Sequence, residues 1–325
     1  MEIVGGVKVQ VWGPEDEGPH KPGPQEMWQE SVVLVWWDLA QGIGGFYRIG
    51  HETNWKTGPM VSLWSNTITP EGIFHKSTYL PLREQDKLPN GFGSGDGSVT
   101  FEFDKHAVWT IDEPEVRGRL VAKDFHPGLD CYPKKGAISE FAPHHMEGSA
   151  RVTGELTVKG RTYTVNGLAL RDHGWGERQW HTLRSHRWAT GVFEDGMSFV
   201  ALSWYSSDDT LIRFGWVVRG EQVFYAKDVD IVGYVQTDGI TTRGGHVKYT
   251  LTNGEVLDIE FESVAPTCVS WHHNIACGDT MCRVILGAKV GIGDFELTNN
   301  TQGGTHRPKS LESGVIENGW HPAKK

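Results

Sequence analysis

No stretch of this chain carries a sustained helical period, whereas short runs that alternate apolar and polar residues recur along its length. The clearest case is His246 to Phe261. Val247, Tyr249 and Leu251 alternate with polar residues, Asn253-Gly254 supplies a turn, and Leu257, Ile259 and Phe261 alternate on the return. Asn-Gly between two such runs is a strong hairpin signal, because both residues accept the backbone conformation of a tight turn. Val99, Phe101 and Phe103 alternate in the same way. Val32 to Trp37 is a continuous apolar run of a length that suits a strand buried on both faces. Lys159-Gly160 lies between the strand-like stretches 150–158 and 161–170 and predicts a second tight hairpin. A chain so patterned is expected to fold as all-β, in sandwiches or barrels.

With 325 residues there is material for two such units. Strand signals flank residues 165–185 on both sides, so the boundary is placed there and the chain is divided into two β-barrel domains, residues 1–172 and 173–325. Residues 124–144 hold three prolines and little periodicity, which predicts a long loop across a pocket mouth.

The formal net charge of −10 argues against a broad nucleic-acid surface. No apolar run is long enough to span a bilayer and the N-terminus lacks the apolar core of a signal peptide, so a cytoplasmic protein without stable membrane insertion is expected. Cys131, Cys268, Cys277 and Cys282 are then expected to be thiols. His272, His273, Cys277 and Cys282 are ligand types that zinc accepts, but their spacing matches no standard finger. Adjacent strand residues such as His272 and His273 also point to opposite faces. No nucleophile elbow or phosphate-binding glycine loop is present. The expectation is therefore no metal and no cofactor.

General acid–base chemistry remains, and the stretch Arg171–Trp180, RDHGWGERQW, concentrates the residues for it. Asp172, His173 and Glu177 are proton-transfer groups. Gly174 and Gly176 let the backbone bend or approach something closely. Tyr47, Arg48, His51 and Glu52 in the first segment, with His145 and Glu147 further on, add polar groups to a chain unusually rich in Trp (14) and His (15). An aromatic interior with a few polar groups is the usual build of a small-molecule pocket. The competing reading is structural: Arg171 or Arg178 pairs with Asp172 or Glu177 in a buried ion cluster that joins the two domains.

Four stretches, GGFYRIGHE at Gly44 to Glu52, HHMEGSARVTGEL at His144 to Leu156, RDHGWG at Arg171 to Gly176 and GIGDFELTN at Gly291 to Asn299, resemble in content and order the lipocalin-like superfamily of carotenoid 1,2-hydratases and AttH-like proteins. The resemblance implies two calycin-type barrels packed together, with a pocket for a hydrophobic small molecule. In the hydratases an acid protonates an isolated C=C and water captures the carbocation; the essential acid falls on Asp172. The hydratases carry a tyrosine two residues before that acid, where this chain has Leu170, and Tyr47 is a candidate to take its role.

The expected protein is a cofactor-free hydratase, dehydratase or isomerase acting on a C=C of a terpenoid, steroid or aromatic compound. The alternatives are a hydrophobic-ligand carrier or a pericyclase of the same fold. Asp172 is the expected acid, its pKa raised by surrounding tryptophans, with His173, Glu147 and Tyr47 assisting. Arg48, His51, Trp55, His145, Trp175, Glu177 and Trp180 are expected to line the pocket, Trp175 and Trp180 facing a developing cation. The partner is an apolar small molecule; a homodimer is compatible with the sequence.

Overall fold

The computed structural model describes residues 1–4, 10–131, 143–180, 185–205, 211–236, 241–273, 275–300 and 315–317. Among them regular structure is β, apart from two single 3-10 turns, and no helix is long and apolar enough to cross a membrane. The chain forms two compact units. The first comprises Gln10–Asp130 and Ile138–Arg178; the second comprises Met1–Val9, Cys131–Ala137 and Gln179–Lys325. The division drawn after residue 172 falls inside the strand Arg161–Glu177, which continues unbroken past that point.

In the second unit, eight antiparallel strands close on themselves: Ser185–Phe193, Ser198–Tyr205, Leu211–Arg219, Gln222–Val235, Thr242–Leu251, Val256–Ser263, Met281–Leu286 and Lys289–Asn300. The last pairs back onto the first. Closure needs bent strands, and Gln222–Val235 has register shifts at Ala226/Asp228 and Gly233/Val235. The alternation read between His246 and Phe261 is the hairpin of Thr242–Leu251 with Val256–Ser263, turned at Gly254 with φ +88°. Phe199, Val217, Tyr249, Ile259 and Phe295 meet inside the barrel. Cys282 lies there too, donating to the Thr280 carbonyl at 3.3 Å.

The first unit is a curled half-barrel that stays open. Its sheet runs Gly72–Pro81, Met60–Thr69, Ile43–Glu52, Trp28–Asp38, Arg161–Glu177, His144–Val158, Val116–Asp124, Ala107–Asp112 and Val99–Phe103, and ends in the short strands Gly91–Gly93 and Lys87–Leu88. The expected pair of barrels is thus one closed barrel and one half-barrel. Lys159 and Gly160, at φ +48° and +85°, make the tight turn between the two longest strands. Of residues 124–144, Asp124 ends a strand and Leu129–Asp130 pairs with Met146 and Glu147. Residues 132–142 of the expected loop lie outside the described residues.

Side chains alternate across this sheet, and the register sets which of them share a face. Val32, Leu34, Trp36, Tyr47, Ile49, Val61, Leu63, Trp109 and Leu120 form the core on one face. The opposite face is also buried, and it carries polar groups: Asp172 pairs with Glu147 on one side and with Val33 on the other, and Val33 pairs with Arg48, itself paired with Trp64.

Candidate active site

The Arg171–Glu177 stretch runs through the middle of the first unit's sheet, so its odd and even residues serve different faces. Arg171, His173 and Trp175 lie with the core residues, across from Leu34, Val32 and Glu30. Asp172, Gly174 and Gly176 lie on the opposite face, across from Val33, Ser31 and Gln29. The expected grouping of Asp172 with His173 and Trp175 is therefore split by the strand itself.

On the core face most of the charged groups partner one another, although His173 Nδ1 has no partner among the described residues. Arg171 donates from Nε and Nη2 to Asp124 at 2.7 and 2.8 Å, and from Nη1 and Nη2 to Glu17 at 3.0 and 2.6 Å. Burial opposes its charge, but Asp124 and Glu17 outweigh burial and hold the guanidinium protonated. Arg171 does sit in a buried ion cluster, but its partners are Asp124 and Glu17 and not the expected Asp172 or Glu177, and all three belong to the first unit, so the pairing does not join two domains. His173 Nε2 lies 3.0 Å from Glu30 Oε1, which also meets His20 Nδ1 at 2.7 Å and the His20 backbone N–H at 3.0 Å. Burial would raise the Glu30 pKa, but His173 and His20 lower it. The Trp175 ring is stacked between His20 and His144, with centroids 3.8 and 5.0 Å away. Tyr47 is fully buried, its hydroxyl 2.5 Å from Thr67 Oγ1; burial drives its pKa far up. On this face it does not stand in for the tyrosine that Leu170 replaces. His51 Nε2 donates to the Gly93 carbonyl at 2.9 Å, its pKa lowered by burial.

On the opposite face the arrangement is different. His145 and Glu147 project beside Asp172, from the neighbouring strand. His145 Nε2 hydrogen-bonds Asp172 Oδ2 and lies 3.2 Å from Glu147 Oε1. Burial disfavours the imidazolium, but the two carboxylates outweigh it and raise the His145 pKa to about 10. Burial likewise pushes Asp172 up, and His145, Arg178 and Arg48 bring it below the ordinary aspartate value. The raised pKa expected for Asp172 is overturned: the neighbouring cations outweigh burial and lower it. Asp172 Oδ1 is buried with no hydrogen-bond partner among the described residues.

Arg48 shares this face two strands away. Nη1 donates to Ser62 Oγ at 2.7 Å and the guanidinium lies 4.7 Å from the Trp64 ring centroid. Its Nη2 has no partner among the described residues, although the side chain is 3% exposed. Burial, then Arg178, lowers its pKa, while Tyr79, Glu52 and Asp172 oppose the shift. Gly174, Ser31 and Gly50 lie side by side across three strands. A Cβ on Gly174 would come within 2.4 Å of Arg178 Nη2, and one on Gly50 within 2.8 Å of Arg48 Nη1. The glycines of the central motif and of the first segment thus make room for two guanidiniums on a floor of small residues.

Of the other expected lining residues, Trp55 is half-buried in the turn after Ile43–Glu52, and Glu177 is half-buried at the end of its strand, opposite Trp28. Trp180 belongs to the second unit, where its ring meets His272 edge-on at 4.0 Å. Sequence reasoning missed Ser62, Trp64, Tyr79 and the placement of Arg178. The only available signal was the i, i+2 spacing of Ser62 and Trp64 on a strand next to Arg48.

A family model described as Domain of unknown function (DUF7064) matches residues 13–301. No curated protein matches the chain by sequence. Among solved structures, the chain is similar to an AttH candidate from Nitrosomonas europaea, with a TM-score of 0.67 and 13% identity over 92% of this chain and 99% of the other. It is also similar to CghA, with a TM-score of 0.58 and 11% identity over 92% and 98%. At these identities the likeness establishes a lipocalin-like, AttH-type fold.

Proposed function

The chain belongs to the DUF7064 domain family, so its activity has to be argued from its own site, and we propose that it is an enzyme that moves a proton on an apolar small molecule. The reaction class is that of a hydratase, dehydratase or isomerase, and the His145–Asp172 pair is its acid–base machinery. One observation carries this reading: Asp172 is held by His145 through Oδ2 while Oδ1, buried, is left without a partner. Buried acceptors in folded proteins are nearly always satisfied, and each exception calls for an explanation, a catalytic role among them. A carboxylate fixed on one oxygen and open on the other is oriented to accept a proton. The imidazolium beside it, itself oriented by Glu147, is placed to stabilise the charge or return a proton.

Deuterium uptake from D2O into an apolar extract of the native cells, resolved by mass spectrometry, tests the reading. Wild type should label one class of compound. Asp172→Asn keeps the shape and a hydrogen bond to His145 but removes the basic oxygen, and should slow labelling by roughly two to four orders of magnitude in protein that circular dichroism shows to be folded. Labelling by Asp172→Asn at the wild-type rate would remove Asp172 from the chemistry. An extract that wild type leaves unlabelled would point to a carrier.

A further inference from the structure

Asp172 Oδ1 has a counterpart. Arg48 Nη2 is a buried donor with no partner among the described residues, on the same face of the same sheet. Their Cα atoms are two strand spacings apart, roughly 10 Å, and Val33 lies between them in the sheet. One open acceptor and one open donor define what a ligand must bring: an acceptor for Arg48 and a hydrogen for Asp172.

Charge narrows the choice further. Within the first unit, the ionisable groups described around this pair are Arg48, Arg178 and His145 on one side, and Asp172, Glu147 and Glu52 on the other. With the imidazole protonated the formal charges cancel. A carboxylate or phosphate ligand would bury an unbalanced charge here, which is costly, whereas a neutral carbonyl oxygen satisfies the open N–H without adding one. The surroundings suit an apolar skeleton: Trp64, Phe46, Val33, Val35 and Leu170 share the face and are buried.

We propose that Arg48 Nη2 binds the carbonyl oxygen of a neutral apolar ketone or ester, and that Asp172 moves a proton on the carbons conjugated with that carbonyl. This rests on the acid–base reading of Asp172 above and names its substrate class. Asp172 Oδ1 removes a proton from the carbon α or γ to the carbonyl. The C–H electron pair becomes a C=C bond of the enolate, and the carbonyl π pair moves onto oxygen. There the new charge faces a guanidinium fixed in advance by Ser62 and Trp64, the kind of fixed donor that stabilises oxyanions. Asp172 then returns the proton to a different carbon of the conjugated system. The double bond has moved, the carboxylate is restored, and nothing is oxidised or reduced.

The test pairs two enones, testosterone and β-ionone, with hydrocarbons of the same skeleton lacking the carbonyl, and measures binding by tryptophan fluorescence and α- and γ-hydrogen exchange in D2O by NMR. Wild type and Asp172→Asn should bind the enones at least tenfold more tightly than the hydrocarbons. Arg48→Met should erase that preference, and Arg48→Lys, which keeps the charge without the fork, should retain part of it. Hydrogen exchange should be lost in Asp172→Asn. Equal binding of enones and hydrocarbons, a preference that survives in Arg48→Met, or failure of both enones to bind would overturn the proposal. A preference that needs Arg48 but comes with no hydrogen exchange in wild type would support the carbonyl anchor and sink the proton-transfer reading, so the two can fail separately.

Discussion

Arg171 and Arg48 are both buried guanidiniums in the same curled sheet, on opposite faces, and they are solvated in opposite ways. Arg171 is gripped by two carboxylates through Nε, Nη1 and Nη2. Arg48 has one hydroxyl, one indole face and an open N–H. The same contrast separates Glu30, which receives two imidazoles and a backbone N–H, from Asp172, which receives one imidazole on one oxygen. A cation that the fold needs for its own integrity is fully matched by the fold. One that is left partly unmatched can meet a group that is not protein. On this criterion the core-face cluster, through Glu17 and His20, holds the Pro-rich stretch 12–25 onto the sheet, and the opposite face is the site.

The largest effect that would break this contrast is on stability. Arg171→Met leaves Glu17 and Asp124 facing each other without their cation, and should cost about 3–5 kcal/mol, the usual penalty for breaking a buried pair. Arg48→Met gives up one hydrogen bond to a hydroxyl, keeps an apolar stem on Trp64, and should cost about 1 kcal/mol. Urea denaturation of the two variants side by side measures this. Equal losses would make Arg48 as structural as Arg171, and the distinction between the faces would fall.

Next in size is the alkaline behaviour of the site. The His145 pKa is raised in the folded state, from 6.5 to about 10. The folded protein therefore binds more protons than the unfolded one between those values, and its stability must fall as pH rises through that window. The contribution is complete below about pH 6.5. Asp172 works in the other direction: its pKa is lowered, so its share is present above the ordinary aspartate range and lost in acid. His145→Gln should flatten the decline between pH 6.5 and 10 and also shrink the share of the acid limb that Asp172 carries, because His145 is the first of the groups that lower the Asp172 pKa. Parallel stability–pH curves for the variant and wild type would mean that the imidazole carries no proton in this range.

Much of the fold is legible in the sequence because its information is local. The alternation of Val247, Tyr249 and Leu251 and the Lys159-Gly160 turn specify strands and hairpins directly, whereas closure of one barrel and not the other depends on bulges and edge pairing between distant strands. The central motif is legible as a concentration of chemistry, but its division is not taken far enough when Asp172 and His173 are placed in one site. Neighbouring strand residues point apart, but the rule fails for His272 and His273: His273 has left the strand with φ +53°, and the two rings lie 4.7 Å apart. Applied to 171–177, it assigns Asp172 and Gly174 to one face and Arg171, His173 and Trp175 to the other. The partners themselves are out of reach of any local reading. Glu17 is 154 residues from Arg171, and the nearness of Arg48 to Asp172 depends on Val33 lying between them in register.

The smallest expected effect compares two glycines on the two faces. Gly148 lies opposite Arg171 on the core side, and a Cβ there would meet nothing within 4 Å. Its backbone lies outside the left-handed region, so Gly148→Ala should stabilise by about 0.4–1 kcal/mol through the lost freedom of the unfolded chain. Gly174 also lies outside that region and gains the same entropic advantage, but its Cβ would run into the Arg178 guanidinium at 2.4 Å. That guanidinium is the end of a flexible side chain and can withdraw, so Gly174→Ala should be close to neutral in stability, within about 1 kcal/mol. Withdrawal removes a positive charge from the neighbourhood of Asp172, whose pKa should then rise. Carbon-13 titration of the aspartate carboxyls would detect the change. If Gly174→Ala stabilised as much as Gly148→Ala and left the Asp172 titration unmoved, Arg178 would have no part in holding the site's charge, and the balanced cluster would have to be redrawn without it.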